Sequence, residues 1–128
     1  MAKKEEIRNY WNRKQPSKWY SALPEGTKEY YLDVEKKRYE VFCPYIPHIA
    51  EFDQWKGKKI LEVGVGMGID HWQYVKNGAI THGVDLTDGA IEETKKLLSA
   101  FDLQSDLKRM DAEHLEFPDN YFDMVYSM

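Results

Sequence analysis

Lys59-Ile60-Leu61-Glu62-Val63-Gly64-Val65-Gly66-Met67-Gly68 reads as a short apolar strand that runs straight into three alternating glycines. Residues 68–77 follow as a helix with Trp72 and Val75 turned inward, ended by Asn77-Gly78 in the manner of a glycine cap. In a strand–loop–helix turn of this kind, Gly64 permits the tight bend. Gly66 lets a ligand approach the backbone with no Cβ in the way. A bare turn needs fewer glycines, so the loop is expected to hold a ligand.

Downstream, the same alternation continues. Ile80–Leu86 is a second strand, and Thr87 or Asp88 caps a helix in which Ile91, Leu97, Leu98 and Phe101 recur at helical spacing. Leu107–Met110 is a third strand, Pro118-Asp119-Asn120 a turn, and Phe122–Ser127 a fourth strand. Strands alternating with helices at this spacing predict right-handed βαβ units, a parallel sheet and an α/β fold. Upstream of residue 58 the character differs. Tyr10, Trp11, Trp19, Tyr20, Tyr30, Tyr31, Tyr39, Phe42 and Tyr45 crowd together, with a short helix expected over 3–14, stopped by Pro16. A longer helix is expected over 27–42, capped by Thr27, closed before Pro44, and carrying Tyr31, Val34, Glu35, Arg38 and Phe42 along one stripe. The chain therefore divides into an N-terminal helical cap segment, residues 1–58, and a Rossmann-like domain, residues 59–128.

The loop discriminates between nucleotides. A dinucleotide site wants G-x-G-x-x-G/A, but Ile69 fills the third slot counted from Gly64, where a β-branched residue crowds helix against strand. The spacing that fits is G-x-G-x-G. Glu62, two residues before the first glycine, would face a pyrophosphate with a carboxylate. S-adenosylmethionine carries a sulfonium and an ammonium and no phosphate, so there the carboxylate is favourable. Asp85, 21 residues after Gly64, stands at the end of the second strand, where an acid can accept from both ribose hydroxyls. Asp111 follows the third strand and reaches the same edge of the sheet. Its carboxylate can accept from an adenine amino group, while the amide of Ala112 or Glu113 donates to a ring nitrogen.

Composition bounds the alternatives. The chain has 128 residues, 42% apolar and 31% charged, which suits one globular domain and not a disordered tail. No apolar run reaches the roughly 18 residues that span a bilayer, and the start, MAKKEEIRNY, has no secretory h-region. Cys43 is the only cysteine and cannot form an internal disulfide, so a cytoplasmic location is expected. Residues 1–60 hold 13 Lys/Arg and 9 Asp/Glu (net +4), and residues 61–128 hold 5 and 13 (net −8). An acidic sheet domain does not suit a nucleic-acid partner. Lys3-Lys4 and Lys36-Lys37-Arg38 read as solvated helix faces. His48, His71, His82 and His114 share no metal-ligand spacing, so no metal is expected, and His71 is of interest because it follows the loop so closely.

The segments ILEVGVGMG, GVDLT and MDAEHLEFPDNYFDMVYS together resemble the first motifs of class I S-adenosylmethionine-dependent methyltransferases, nearest to the ubiquinone/menaquinone-biosynthesis branch. The likeness covers residues 59–128. It implies that Glu62 contacts the methionine end of the cofactor and that Gly64, Val65, Gly66 and Gly68 form the loop beneath it. It further implies that Asp85 and Leu86 hold the ribose, that Asp111 and Ala112 hold the adenine, and that Ser127 lies near the methionine moiety. Met67 departs from the small residue or Thr common in its slot, a change expected to be tolerated. The resemblance implies a three-layer αβα sheet ordered 3-2-1-4-5-7-6, of which this chain carries the first four strands, in the order 3-2-1-4.

With the chain ending at Met128, the fourth strand is expected at the edge of the sheet, either self-associating or covered by the aromatic N-terminal helices. Those aromatics are either a packing cap or a lid over the sulfonium, and the sequence does not choose between them. The expected activity is methyl transfer to a small-molecule acceptor, leaving S-adenosylhomocysteine; no residue stands out as a general base, and the catalytic residues stay unassigned. The competing readings are a module that binds the cofactor without transferring methyl, a subunit completed by a partner chain, and an NAD-dependent oxidoreductase, which Glu62 and Ile69 oppose.

Overall fold

In the computed structural model, which describes residues 2–13 and 21–128, β1 (Lys59–Val63) is an interior strand. That position explains why the sequence is apolar toward both faces: Ile60 and Leu61 are both buried. β2 (Ile80–Asp85) pairs with it in parallel, from Lys59 opposite Ile80 to Val63 opposite Val84. β4 (Met124–Ser127) pairs along its other side, from Ile60 opposite Met124 to Val63 opposite Ser127. β3 (Asp106–Arg109) lies outside β2, so the order is β3-β2-β1-β4, as expected. β4 begins later than expected because Asp123 makes the turn into it. Its amide donates to the Lys59 carbonyl (2.7 Å) and its carboxylate accepts from the Lys59 amide (2.8 Å). Phe122 packs edge-on against Phe117 and Tyr121.

Six helical segments surround the sheet among the described residues. α1 spans Ala2–Arg13, α2 Lys28–Lys37, α3 Ile46–Ala50, α4 Ile69–Lys76 and α5 Asp88–Ala100; a π-helical turn covers Arg38–Phe42. Thr27 caps α2 by accepting from the Tyr30 amide, and Thr87, not Asp88, caps α5 by accepting from Ala90. The α-helix expected to run to residue 42 widens at Arg38, where the Cys43 amide reaches back to the Arg38 carbonyl (2.7 Å). The widening shifts the helical phase. Phe42, expected on the inner stripe, is exposed, while Tyr39 turns in against Phe52. α3 was not expected; it begins with Pro47 in its first turn and ends at Glu51 in the left-handed region. Pro16, Trp19 and Tyr20 lie outside the described residues, as does the side chain of Trp11.

The N-terminal segment and the sheet domain share their cores. Tyr30, Tyr31 and Val34 of α2 pack with Ile69 and Trp72 of α4 and with Leu97 and Leu98 of α5. Trp72 stacks on Phe101 at 4.5 Å. A second cluster joins Ile46 and Ala50 of α3 to Ile60 and Tyr74, with Met124 and Tyr126 alongside. Burying an aromatic of this size stabilises by roughly 2–3 kcal/mol, so the tyrosine pair is a main anchor of α2 on α4 and α5. α2 thus covers the helical layer and not the open edge of β4, where Val125 is 58% exposed; α3 flanks one side of that strand. No helix among the described residues is long and apolar enough to cross a membrane.

Candidate functional site

The glycine loop is pinned to the sheet before it turns. The amides of Gly64 and Val65 both donate to the Val84 carbonyl, at 2.8 and 3.2 Å, and the Val65 side chain is buried beneath. Gly64, Gly66 and Gly68 all have positive φ (+81°, +58° and +91°), which an L side chain adopts at a cost. Their surroundings differ. A Cβ on Gly64 or Gly66 would meet nothing within 4 Å, so this stretch of backbone borders open space. A Cβ on Gly68 would lie 2.7 Å from Cγ2 of the buried Thr94, so that glycine serves the packing of α4 against α5.

The acids expected at the strand ends gather around this loop. Asp85 accepts from the Gly66 amide at Oδ2 (3.1 Å) and from the Thr87 amide (3.0 Å) and hydroxyl (3.2 Å) at Oδ1. It therefore ties the loop to the start of α5, with Leu86 half-buried beside it. The Met110 amide donates to the Asp85 carbonyl (2.9 Å), which brings Asp111 to the same edge. Asp111 accepts from the Glu113 amide (2.9 Å) and from Lys4 (2.8 Å), and Ala112 next to it is exposed. Ser127 lies opposite Val63 and donates its hydroxyl to that carbonyl (3.0 Å). The structure thus brings Glu62, the loop, Asp85, Leu86, Asp111, Ala112 and Ser127 to the carboxyl ends of four parallel strands, where ligands of open α/β sheets bind.

Glu62 is the unusual member. It is 2% exposed, and its Oε1 is buried with no hydrogen-bond partner. His71 Nδ1 lies 3.2 Å away, itself buried and not hydrogen-bonded. Burial pushes the Glu62 carboxyl well above its ordinary range; Asp70 and Asp85 reinforce this and Arg38 opposes it. Burial pushes His71 down to about 4, with His82 adding to the effect.

Two features of the neighbourhood were not legible in the sequence. Asp70, in the first turn of α4, receives a two-pronged bond from Arg38 (Nε and Nη2, both 2.8 Å) and the hydroxyls of Tyr39 and Tyr126. Burial alone would raise this carboxyl, but these bonds outweigh it and hold it below the usual range. Arg38 was expected both in a solvated basic run with Lys36 and Lys37 and on the stripe with Tyr31 and Val34. It follows the stripe and reaches Asp70, where Tyr39 joins it. Lys4, also expected on a solvated face, pairs with Asp111 and Glu113, which docks α1 beside the third strand's end. The only early signal was Asp70 itself, an acid immediately after the loop. Among the described residues no group of side chains is arranged to hold a metal ion.

Residues 60–128 match the family described as a methyltransferase domain. Phosphatidylethanolamine N-methyltransferase of Cereibacter sphaeroides is 35% identical over 75 residues, covering 57% of this chain and 36% of that protein. Geranyl diphosphate C-methyltransferase from Streptomyces coelicolor A3(2), solved with Mg2+, geranyl diphosphate and S-adenosyl-L-homocysteine, aligns at a TM-score of 0.67. The identity is 14%, over 97% of this chain and 52% of that one. Magnesium protoporphyrin IX methyltransferase from Synechocystis PCC 6803, solved with bound S-adenosylhomocysteine, also aligns at 0.67, with 17% identity over 97% and 57%. At such identities the two structures establish the fold alone. This chain spans 36–57% of the length of these three relatives. The family match takes in β1 to β4 and the whole glycine loop, and the chain belongs to the methyltransferase domain family.

Proposed function

We propose that this chain is the cofactor-binding part of an S-adenosylmethionine-dependent methyltransferase, binding S-adenosylmethionine and releasing S-adenosylhomocysteine. The observation that carries the reading is the Glu62 carboxyl, buried, with Oε1 lacking a hydrogen-bond partner, at the foot of a glycine loop that borders open space. Such a carboxylate is costly unless a donor or cation meets it, and an ammonium does both. A pyrophosphate here would face Glu62, Asp85 and Asp111 together.

When bound, the cofactor supplies a methyl group on a sulfonium, open to in-line attack by an N, O, S or C nucleophile. The chain's own residues bind and orient. Glu62 takes the ammonium end, with Ser127 near it. Gly64, Gly66 and Gly68 shape the loop, and Val65 anchors it in the core. Asp85, whose Oδ2 keeps a free lone pair after its bond to Gly66 while Oδ1 accepts from both Thr87 donors, takes the ribose hydroxyls beside Leu86. Asp111 and the Ala112 amide take the adenine edge, with Lys4 giving way or sharing the carboxylate. Positioning then supplies most of the rate.

The acceptor in this reading is a small molecule. The net charge of −8 over residues 61–128 opposes a nucleic acid, and the curated relative is named for phosphatidylethanolamine. Placement near the quinone-biosynthesis branch rests on ILEVGVGMG, GVDLT and MDAEHLEFPDNYFDMVYS together, and a cytoplasmic location rests on the charged start and the lone Cys43. A second reading, cofactor binding without transfer by this chain alone, draws on its 36% coverage of the curated relative.

The test is calorimetric titration of wild type and Asp85→Ala with S-adenosylhomocysteine, with NAD as control. The expected result is saturable heat from S-adenosylhomocysteine only, with affinity lowered about tenfold or more by Asp85→Ala, the loss of a hydrogen bond to a charged group. No heat from S-adenosylhomocysteine, or heat from NAD, overturns the reading.

A further inference from the structure

His71 is fully buried one residue beyond Asp70 and bridges two elements of the site. On one side its Nε2 lies 2.7 Å from the Ser105 hydroxyl. That hydroxyl gives its single proton to the Thr81 carbonyl (3.1 Å) and accepts from Thr81 Oγ1 (2.7 Å). With its proton spent, Ser105 can only accept from the ring, so His71 carries its proton on Nε2 and presents a bare Nδ1 on the other side. What Nδ1 faces is Glu62 Oε1, 3.2 Å away. Two bare acceptors at that distance repel; one proton shared between them makes a hydrogen bond. That bond would fix Oε1 on the ring and leave the second carboxyl oxygen to point at the loop.

We propose that His71 is a positioning residue for the amino-acid end of the cofactor, acting through Glu62: locked by Ser105 and Thr81, it sets which way the Glu62 carboxyl faces. This rests on the cofactor reading given above. The ring has little freedom to do otherwise, since a Cβ on Gly83 of β2 would already lie 3.0 Å from its Cε1. The other groups facing Glu62 are Asp70 and Tyr74 of α4, Arg38 of the π-helical turn, Asp85 of β2 and Tyr126 of β4. Asp70 holds Arg38 in two bonds and also takes the Tyr126 hydroxyl, and Tyr74 donates to the Ala50 carbonyl. His71 is the neighbour whose facing atom is uncommitted.

The test compares two ligands on the full chain: S-adenosylhomocysteine, which has the amino-acid end, and 5′-methylthioadenosine, which lacks it. His71→Gln is expected to weaken S-adenosylhomocysteine about tenfold and leave 5′-methylthioadenosine within about twofold, roughly 1.4 kcal/mol of selective loss. A merely structural role would weaken both ligands alike, and that outcome overturns the proposal. Ser105→Ala, which leaves the buried ring in place but frees its tautomer, is expected to give a smaller loss of the same selective kind. It carries the test should His71→Gln fail to fold. In a Glu62→Gln background either substitution should add nothing, and additive losses overturn the route through Glu62. Wild type that binds 5′-methylthioadenosine but gains nothing from the amino-acid end overturns the proposal and spares the nucleoside site. Wild type that binds neither ligand overturns both this inference and the cofactor reading.

Discussion

Gly66→Ala and Gly68→Ala add the same methyl group two residues apart and should fail in opposite ways. Both glycines are left-handed, which costs an L residue about 1–2 kcal/mol. At Gly66 that is the whole stability cost, because the new Cβ meets nothing within 4 Å. At Gly68 the Cβ lands 2.7 Å from Cγ2 and 2.8 Å from Oγ1 of Thr94. Thr94 is fully buried, and its hydroxyl donates to the Gly66 carbonyl (3.1 Å). It cannot rotate away without losing that bond. Overpacking adds about 1–3 kcal/mol, and a lost hydrogen bond about 1 more. The totals are about 1–2 kcal/mol for Gly66→Ala and about 3–6 for Gly68→Ala. At roughly 4 °C per kcal/mol for a domain of this size, the melting temperatures fall by about 4–8 °C and by more than about 12 °C. Ligand binding should rank the other way. Gly66→Ala puts its methyl into the space assigned to the cofactor and should weaken S-adenosylhomocysteine by more than about tenfold. Gly68→Ala, titrated well below its transition, should lose less. Thermal melts by circular dichroism with parallel calorimetric titrations decide it. Equal melting temperatures would refute the Thr94 argument, and wild-type affinity in Gly66→Ala would refute the ligand cradle.

Three further outcomes are expected. Arg38→Met strands Asp70 with only its two tyrosine donors and should cost about 2–4 kcal/mol at neutral pH, somewhat under the usual figure for a broken buried pair because Arg38 is 28% exposed. Asp70 is held below its unfolded value of 3.8, so its contribution is present above that pH and lost as pH falls through the folded value; urea denaturation should show the Arg38→Met deficit shrinking in acid. Glu62 runs the other way. Its folded pKa lies above the unfolded 4.5, so the stability it contributes is complete below 4.5 and lost as pH rises. Glu62→Gln should therefore match wild type near pH 4 and melt higher than wild type at about pH 8 while binding S-adenosylhomocysteine more weakly; equal melting at both pH values would sink the argument. Lastly, we propose that this chain self-associates along β4, the outermost strand beside β1 among the described residues, where Val125 is 58% exposed; light scattering on a concentration series should show a mass increase that Val125→Lys suppresses.

The sheet was legible because its signals are local. A strand that stops at Gly64, a helix that stops at Asn77-Gly78 and a threonine that caps α5 each depend on residues within a few positions of one another. The order of the first four strands followed from resemblance to the methyltransferase motifs, not from the residues alone. The strand-end acids were legible for the same reason as the strands: once β1, β2 and β3 are parallel, Glu62, Asp85 and Asp111 must share an edge. What stayed hidden depends on helical phase and on contacts distant in sequence. Arg38 stands in a basic run beside two lysines and, at helical spacing, on the stripe with Tyr31 and Val34; its partner Asp70, which Tyr39 also reaches, lies 32 positions away and no local pattern announces it. Lys4 reaches Asp111 across 107 positions, and no periodicity in α1 announces it. His71 could be singled out by its place after the loop, but its chain through Ser105 to Thr81 needs β2 and the start of β3 in register.

These hidden contacts settle how charge is divided in the site. Four ionisable groups, Glu62, Asp70, Arg38 and His71, lie close together, and the protein could have paired its half-buried cation with either acid. It pairs Arg38 with Asp70, in two bonds of 2.8 Å backed by two tyrosine hydroxyls. Asp70 is thereby satisfied internally and holds α4 to the N-terminal segment and to β4. Glu62 receives no such partner: Arg38 eases its burden but is bonded elsewhere, and His71 offers a lone pair. A buried acid left that way destabilises the ionised protein, and a purely structural site would gain from Gln or Leu at this position. The arrangement makes physical sense where the missing cation arrives from outside. The same asymmetry that weakens the empty protein then adds to affinity, because the ligand's ammonium supplies the cationic partner that the chain withholds from Glu62.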